Sequence, residues 1–146
     1  MQEYKSIGLE EARMVAHAAI AECTNTEGLP MAVAVVDRHG LPLVLARMDE
    51  SFSLAARMAL TKCYSAMEVL RDTGTARRDF DSRPEKLKSY EFSSSLFTTI
   101  PGGCLLKTKD GAIVGAVGTS GRSPQGDETV ARAGVRAFEA SEYFNQ

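Results

Sequence analysis

"PMAVAVVDRHGLPLVLAR", residues 30–47, decides the fold. Pro30–Val36 is a continuous small-apolar run rich in valine, the pattern of a strand covered on both faces. Asp37-Arg38-His39-Gly40 follows, with Asp first and Gly last as a type I turn prefers. Leu41–Met48 resumes as a strand, and Pro42, which cannot donate to a ladder, belongs at its start or on an edge. Strands joined this tightly must pair antiparallel. A doubly wound parallel sheet needs a regular alternation of strand and helix that is missing here.

Outward from the hairpin, Gly8-Leu9-Glu10-Glu11 reads as a helix start, with Gly8 as N-cap and Glu11 at the third helical position. Leu9, Ala12, Ala16, Ile20 and Cys23 then share one face. Ser53–Leu70 reads as a long helix whose apolar side is Leu54, Ala59, Cys63, Ala66 and Leu70. Arg71–Glu91 turns strongly polar and reads as a surface excursion with at most a short helix at Pro84–Tyr90. Phe97–Ile100, Gly103–Thr108 and Ala112–Val117 read as strands, the last two joined through Lys109-Asp110-Gly111, a strong hairpin signal. A helix over Gln125–Phe144 closes the chain. The expected fold class is α/β in the α+β sense: a five-stranded, mostly antiparallel sheet with helices packed on it, in one domain over residues 1–146.

Composition narrows the function classes. With 44% hydrophobic and 25% charged residues and a net charge of −2, the chain has the balance of a globular protein and no electrostatic footprint for nucleic acid or anionic membrane. The N-terminus has no apolar signal region and no run is long enough to span a bilayer, so the expected compartment is the cytoplasm. Cys23, Cys63 and Cys104 are scattered among apolar residues and read as buried, inert thiols. His17 and His39 have no metal-ligand spacing, and no metal site is expected.

"AVGTSGRSPQGDE", residues 116–128, is the segment richest in chemistry. Ser123 is a natural N-cap and Pro124 a natural first helical residue. Its glycines match neither phosphate-binding motif, and Asp127 and Glu128 already face the helix dipole. Ser120 lacks the G-x-S-x-G elbow. Lys62 lies near an apolar stripe, either snorkelling from its edge or presented to a ligand carboxylate. Arg47 ends a strand beside a helix start and suits the same purpose, and Ile100-Pro101-Gly102-Gly103 is a second close backbone approach.

"PMAVAVVDRHGLPLVLARMDE", "LAARMALTKCYSA", "TIPGGCLL" and "GAIVGAVGTSGRSPQGDETVARAGV" together resemble the GlcG-like family, which includes haem-binding HbpS-like proteins. Similar domains form the C-terminal part of PduO-type corrinoid adenosyltransferases. The resemblance implies a profilin-like sandwich, a homo-oligomer from dimer to octamer, haem as a cofactor, and association with a catabolic pathway. It brings Arg47, Asp49, Lys62, Gly102 and Gly103 into a ligand-binding set, together with Gly118, Ser120, Gly121, Asp127 and Glu128. No axial haem ligand is carried over. Two functions stay open: a small-ligand or haem-binding protein, and a small cofactor-independent catabolic enzyme acting on an unsaturated carboxylate or semialdehyde. In the second, Arg47 and Lys62 orient the carboxylate and Ser120 or Asp127 moves a proton.

Overall fold

The computed structural model describes all of residues 1–146. In chain order the elements are α1 (Leu9–Asn25), β1 (Ala32–Asp37), β2 (Pro42–Arg47), α2 (Ser53–Val69), α3 (Thr73–Asp81), α4 (Pro84–Ser93), β3 (Gly103–Lys107), β4 (Ile113–Ser120) and α5 (Pro124–Glu139), then a 3-10 turn at Glu142–Asn145. The four strands form one antiparallel sheet in the order β2-β1-β4-β3. Helix α2 covers one face and α1 and α5 the other. No helix is long and apolar enough to cross a membrane.

Local signals fix the corners. The Gly8 amide donates to Glu11 Oε2 at 2.9 Å, and Asp37 Oδ1 accepts from the amides of His39 and Leu41. Gly40 and Gly111 take positive φ in the two hairpin turns, where a side chain would be strained. The Gly126 amide donates to Ser123 Oγ, so the α5 cap forms as expected.

The sheet has a large-residue face and a small-residue face. Val33, Val35 and Val117 pack toward α1 and α5, whereas Ala32, Ala34 and Ala116 meet α2. Helix α2 presents Ala55, Ala59, Cys63 and Ala66 in return. A Cβ on Gly118 would collide with the Ala59 carbonyl oxygen and Cys63 Sγ, and one on Gly103 with the Lys62 carbonyl. Small residues on both sides let this helix lie close against the sheet, with no room for a Cβ at Gly118 or Gly103.

Four expectations are corrected. Phe97–Ile100 is not a strand, so the sheet has four strands and not five. The outer edge of β3 is occupied instead by side chains: Asp72 Oδ1 accepts the Leu105 amide at 2.8 Å, and Thr73 Oγ1 accepts the Gly103 amide at 3.0 Å. Phe97 stacks with Tyr90 and touches Phe80. The polar excursion is therefore largely helical, as α3 and α4, held by that aromatic trio. Finally, β4 runs through Ser120, which shortens the glycine-rich turn to Gly121-Arg122-Ser123, and α5 stops at Glu139.

Candidate functional site

A groove of about 450 Å³ opens at one end of the sheet, between the start of α2 and the end of β4. Phe52, Leu54 and Met58 supply its apolar side, and Ser120, Gly121 and Arg122 its opposite wall. The sequence placed Leu54 on the buried stripe of its helix, but it is 60% exposed, and Phe52 is 62% exposed. Phe52 is also the N-cap residue, so no side chain accepts from the first turn of α2. The positive end of a 17-residue helix is thus left without a side-chain acceptor beside two bare apolar side chains.

Register brings Arg47 beside this groove, outside its lining. Arg47 and Ser120 both pair with Ala32, from its two sides, so all three share a row on the α2 face of the sheet. Arg47 donates to the Ser51 carbonyl at 3.3 Å, one residue before Phe52, and is exposed. Asp49 is exposed in the same β2–α2 connection. Gly121 has φ +140°, and a Cβ there would meet the Pro30 carbonyl at 2.8 Å, so this wall tolerates only glycine.

Lys62 neither snorkels nor faces the groove. It is 1% exposed and donates to Asp127 Oδ2 at 2.7 Å and to the Thr119 carbonyl at 2.8 Å. Asp127, equally enclosed, accepts the Arg122 amide at 2.8 Å on its other oxygen. Burial pushes the Lys62 ammonium below its ordinary value against the pull of Asp127. Burial likewise pushes the Asp127 carboxyl upward, opposed by Lys62. Neither group reaches solvent, so the proton-moving role considered for Asp127 finds no access to the groove.

The ten sequence-predicted positions therefore separate. Ser120 and Gly121 line the groove, Arg47 stands beside it through the Ser51 carbonyl, and Asp49 is exposed outside the lining. Lys62, Asp127, Gly102 and Gly118 lie behind it in packed interior, where a Cβ on Gly102 would meet Lys62 Nζ at 2.9 Å and Asp127 Cβ at 3.0 Å. Gly103 and Glu128 lie toward α3, with Glu128 Oε1 accepting from Arg132 at 2.9 Å. Phe52, Leu54, Met58 and Arg122 were missed. The readable signal for the first two was a phenylalanine where a capping Ser or Asp is usual. Arg122 is a clamp: its guanidinium donates to the carbonyls of Cys23, Thr26 and Leu29.

The cysteines and histidines add no reactive group here. All three thiols are free and buried, and burial pushes Cys63 and Cys104 further upward, away from thiolate. His17 is exposed on α1, whereas His39 lies in a turn beside Tyr64 of α2, on the other layer.

Known proteins share this architecture. A 15.0 kDa protein from the dhaT-dhaS intergenic region of Citrobacter freundii is 28% identical over 137 residues, covering 94% of this chain and 95% of that one. The crystal structure of protein ORFY of Klebsiella pneumoniae superposes with a TM-score of 0.85 at 27% identity, covering 97% of each chain. A double mutant of Streptomyces reticuli HbpS gives a TM-score of 0.80 at 30% identity, over 93% of this chain and 89% of its own. The family model described as haem degrading protein HbpS-like matches residues 7–136, and the chain belongs to that HbpS-like family.

Proposed function

We propose that this chain is a small-ligand-binding protein that takes haem, or another apolar ligand bearing a carboxylate, in the groove at the start of α2. The observation that carries this reading is one place holding exposed Phe52 and Leu54, the Arg47 cation and a helix N-terminus with no side-chain cap. An apolar ring system suits the first pair, and a propionate-like carboxylate suits the cation and the amides. The family's description adds haem as the specific candidate. Arg47 and Ser120 are the proposed polar contacts and Gly121 the close wall. The link to a catabolic pathway rests on the resemblance alone, and a cytoplasmic location on the sequence.

Self-association belongs to the same reading. Strand β2 is a sheet edge, and Leu45 within it and Leu41 just before it are exposed. A second copy pairing along β2 would satisfy the free ladder groups and cover both leucines.

Hemin titration followed at the Soret band tests the ligand reading. Leu54→Glu is expected to weaken binding about tenfold, a loss of roughly 1.4 kcal/mol, without altering the thermal melt. Substituting both His17 and His39 by Ala is expected to leave most of the binding. Hemin affinity unchanged in Leu54→Glu removes the groove from the reading.

A further inference from the structure

We infer that Lys62 and Asp127 are positioning residues that set the shape of the groove wall from behind, an assignment that rests on the groove reading above. The two charges come from opposite layers, Lys62 from α2 and Asp127 from α5, and they meet around the start of β3. Gly102 makes that meeting possible, since its missing side chain leaves the space that Lys62 Nζ and Asp127 Cβ approach.

The pair grips the chain on both sides of Ser120 and Gly121. On one side the Thr119 carbonyl accepts from Lys62 Nζ, and the Thr119 hydroxyl donates to the Asp127 carbonyl. On the other side the Arg122 amide donates to Asp127 Oδ1. Residues 119 and 122 are thus fixed, and the two residues between them form the wall. Well-packed apolar residues would commonly match a buried ion pair in stability, so stability alone does not account for these charges. A carboxylate supplies two acceptors at once, one for the ammonium and one for the Arg122 amide. A lysine supplies a stem long enough to reach from α2 past the sheet. An apolar replacement fills the volume and releases the wall.

Backbone amide spectra and hemin titrations on Lys62→Met, Asp127→Asn and Val15→Ala test this assignment. Val15 is buried on the opposite face of the sheet, so Val15→Ala controls for destabilisation alone. Lys62→Met is expected to shift the Ser120, Gly121 and Arg122 amides and to weaken hemin binding about tenfold, the lower end of what losing a supporting contact costs. Asp127→Asn keeps an oxygen for the Arg122 amide and should move those resonances less. Val15→Ala should melt earlier with hemin affinity unchanged. Amides 120–122 that stay put in Lys62→Met, or an affinity loss no larger than in Val15→Ala, would overturn the assignment. Should Lys62→Met fail to fold, the amide shifts in Asp127→Asn decide: unmoved amides 120–122 overturn the assignment. If Leu54→Glu binds hemin like the wild type, the groove reading fails instead, and the amide shifts alone judge the positioning role.

Discussion

The two sides of the sheet treat their polar groups in opposite ways. Around β3 everything is closed: Asp72 and Thr73 occupy the edge, Gly102 covers an ion pair, and the pair's hydrogen bonds end inside the protein. Around β2 much is left open, from the strand edge with Leu41 and Leu45 to the α2 start with Phe52 and Leu54. The closed side is where the fold satisfies itself. The open side leaves apolar surface and strand-edge groups uncovered, which is why the proposed ligand and partner are both assigned to it.

The sharpest way to break the contrast is Asp127→Ala. It leaves the Lys62 ammonium enclosed without its counter-charge, and unfolding free energy should fall by about 3–5 kcal/mol. The lone lysine's folded-state pKa then drops further below its ordinary value, so the native state binds fewer protons than the unfolded chain. Stability of the variant should therefore rise with pH up to about 10.4, and its deficit in urea melts should shrink between pH 6.5 and 9.5. A deficit independent of pH would show that Lys62 finds another acceptor. A smaller effect is expected from Asp72→Ala, which strands the Leu105 amide on the β3 edge at a cost of about 1–3 kcal/mol. Equal denaturation midpoints for that variant and the wild type would mean that the edge was never sealed by Asp72.

What could be read in the sequence was what neighbours in the chain decide. Both hairpin turns, the Gly8–Glu11 start and the Ser123 cap are made by residues within four positions of each other, and they formed as expected. The β3 edge is sealed by side chains 30 or more positions away, so the apolar run Phe97–Ile100 looked like the missing strand. The Lys62–Asp127 pair spans 65 positions. Its signal was nonetheless present. Asp127 stands at helical spacing with Val130, Ala131, Gly134 and Phe138, all buried, just as Lys62 stands with Ala55, Ala59, Ala66 and Val69. Two apolar stripes each holding one charge of opposite sign are best explained by each other. The groove was legible only in part, because Arg47 and Ser120 come together through their shared partner Ala32 in the sheet.

On the open side, Leu45→Lys sharpens the contrast by changing assembly and little else. Leu45 is 48% exposed and faces the α2 layer from the edge strand, so stability should stay within about 0.5 kcal/mol. Sedimentation should show a smaller species than the wild type, since a lysine at a sheet edge discourages strand pairing. An unchanged species would move self-association to another surface.

The smallest expected effect lies in the turn that joins β3 to β4. Lys5 donates to Asp110 at 2.8 Å, and the Thr108 hydroxyl and Ala112 amide donate to the same carboxylate. The Lys5 hydrogen bond first, then those from Thr108 and Ala112, hold the Asp110 carboxyl below its ordinary range. Because the folded-state value is depressed, the native carboxylate binds fewer protons than the unfolded one. Its contribution is present above about pH 4 and disappears as pH falls through the folded-state value. Asp110→Asn should therefore lower Tm slightly at pH 7, and the two melting curves should converge on acidification. Both charges are well exposed, so added salt should also narrow the gap at neutral pH. A gap that survives both acid and salt would mean that the hydrogen bonds of the turn, which asparagine reproduces poorly, carry the effect in place of the charge.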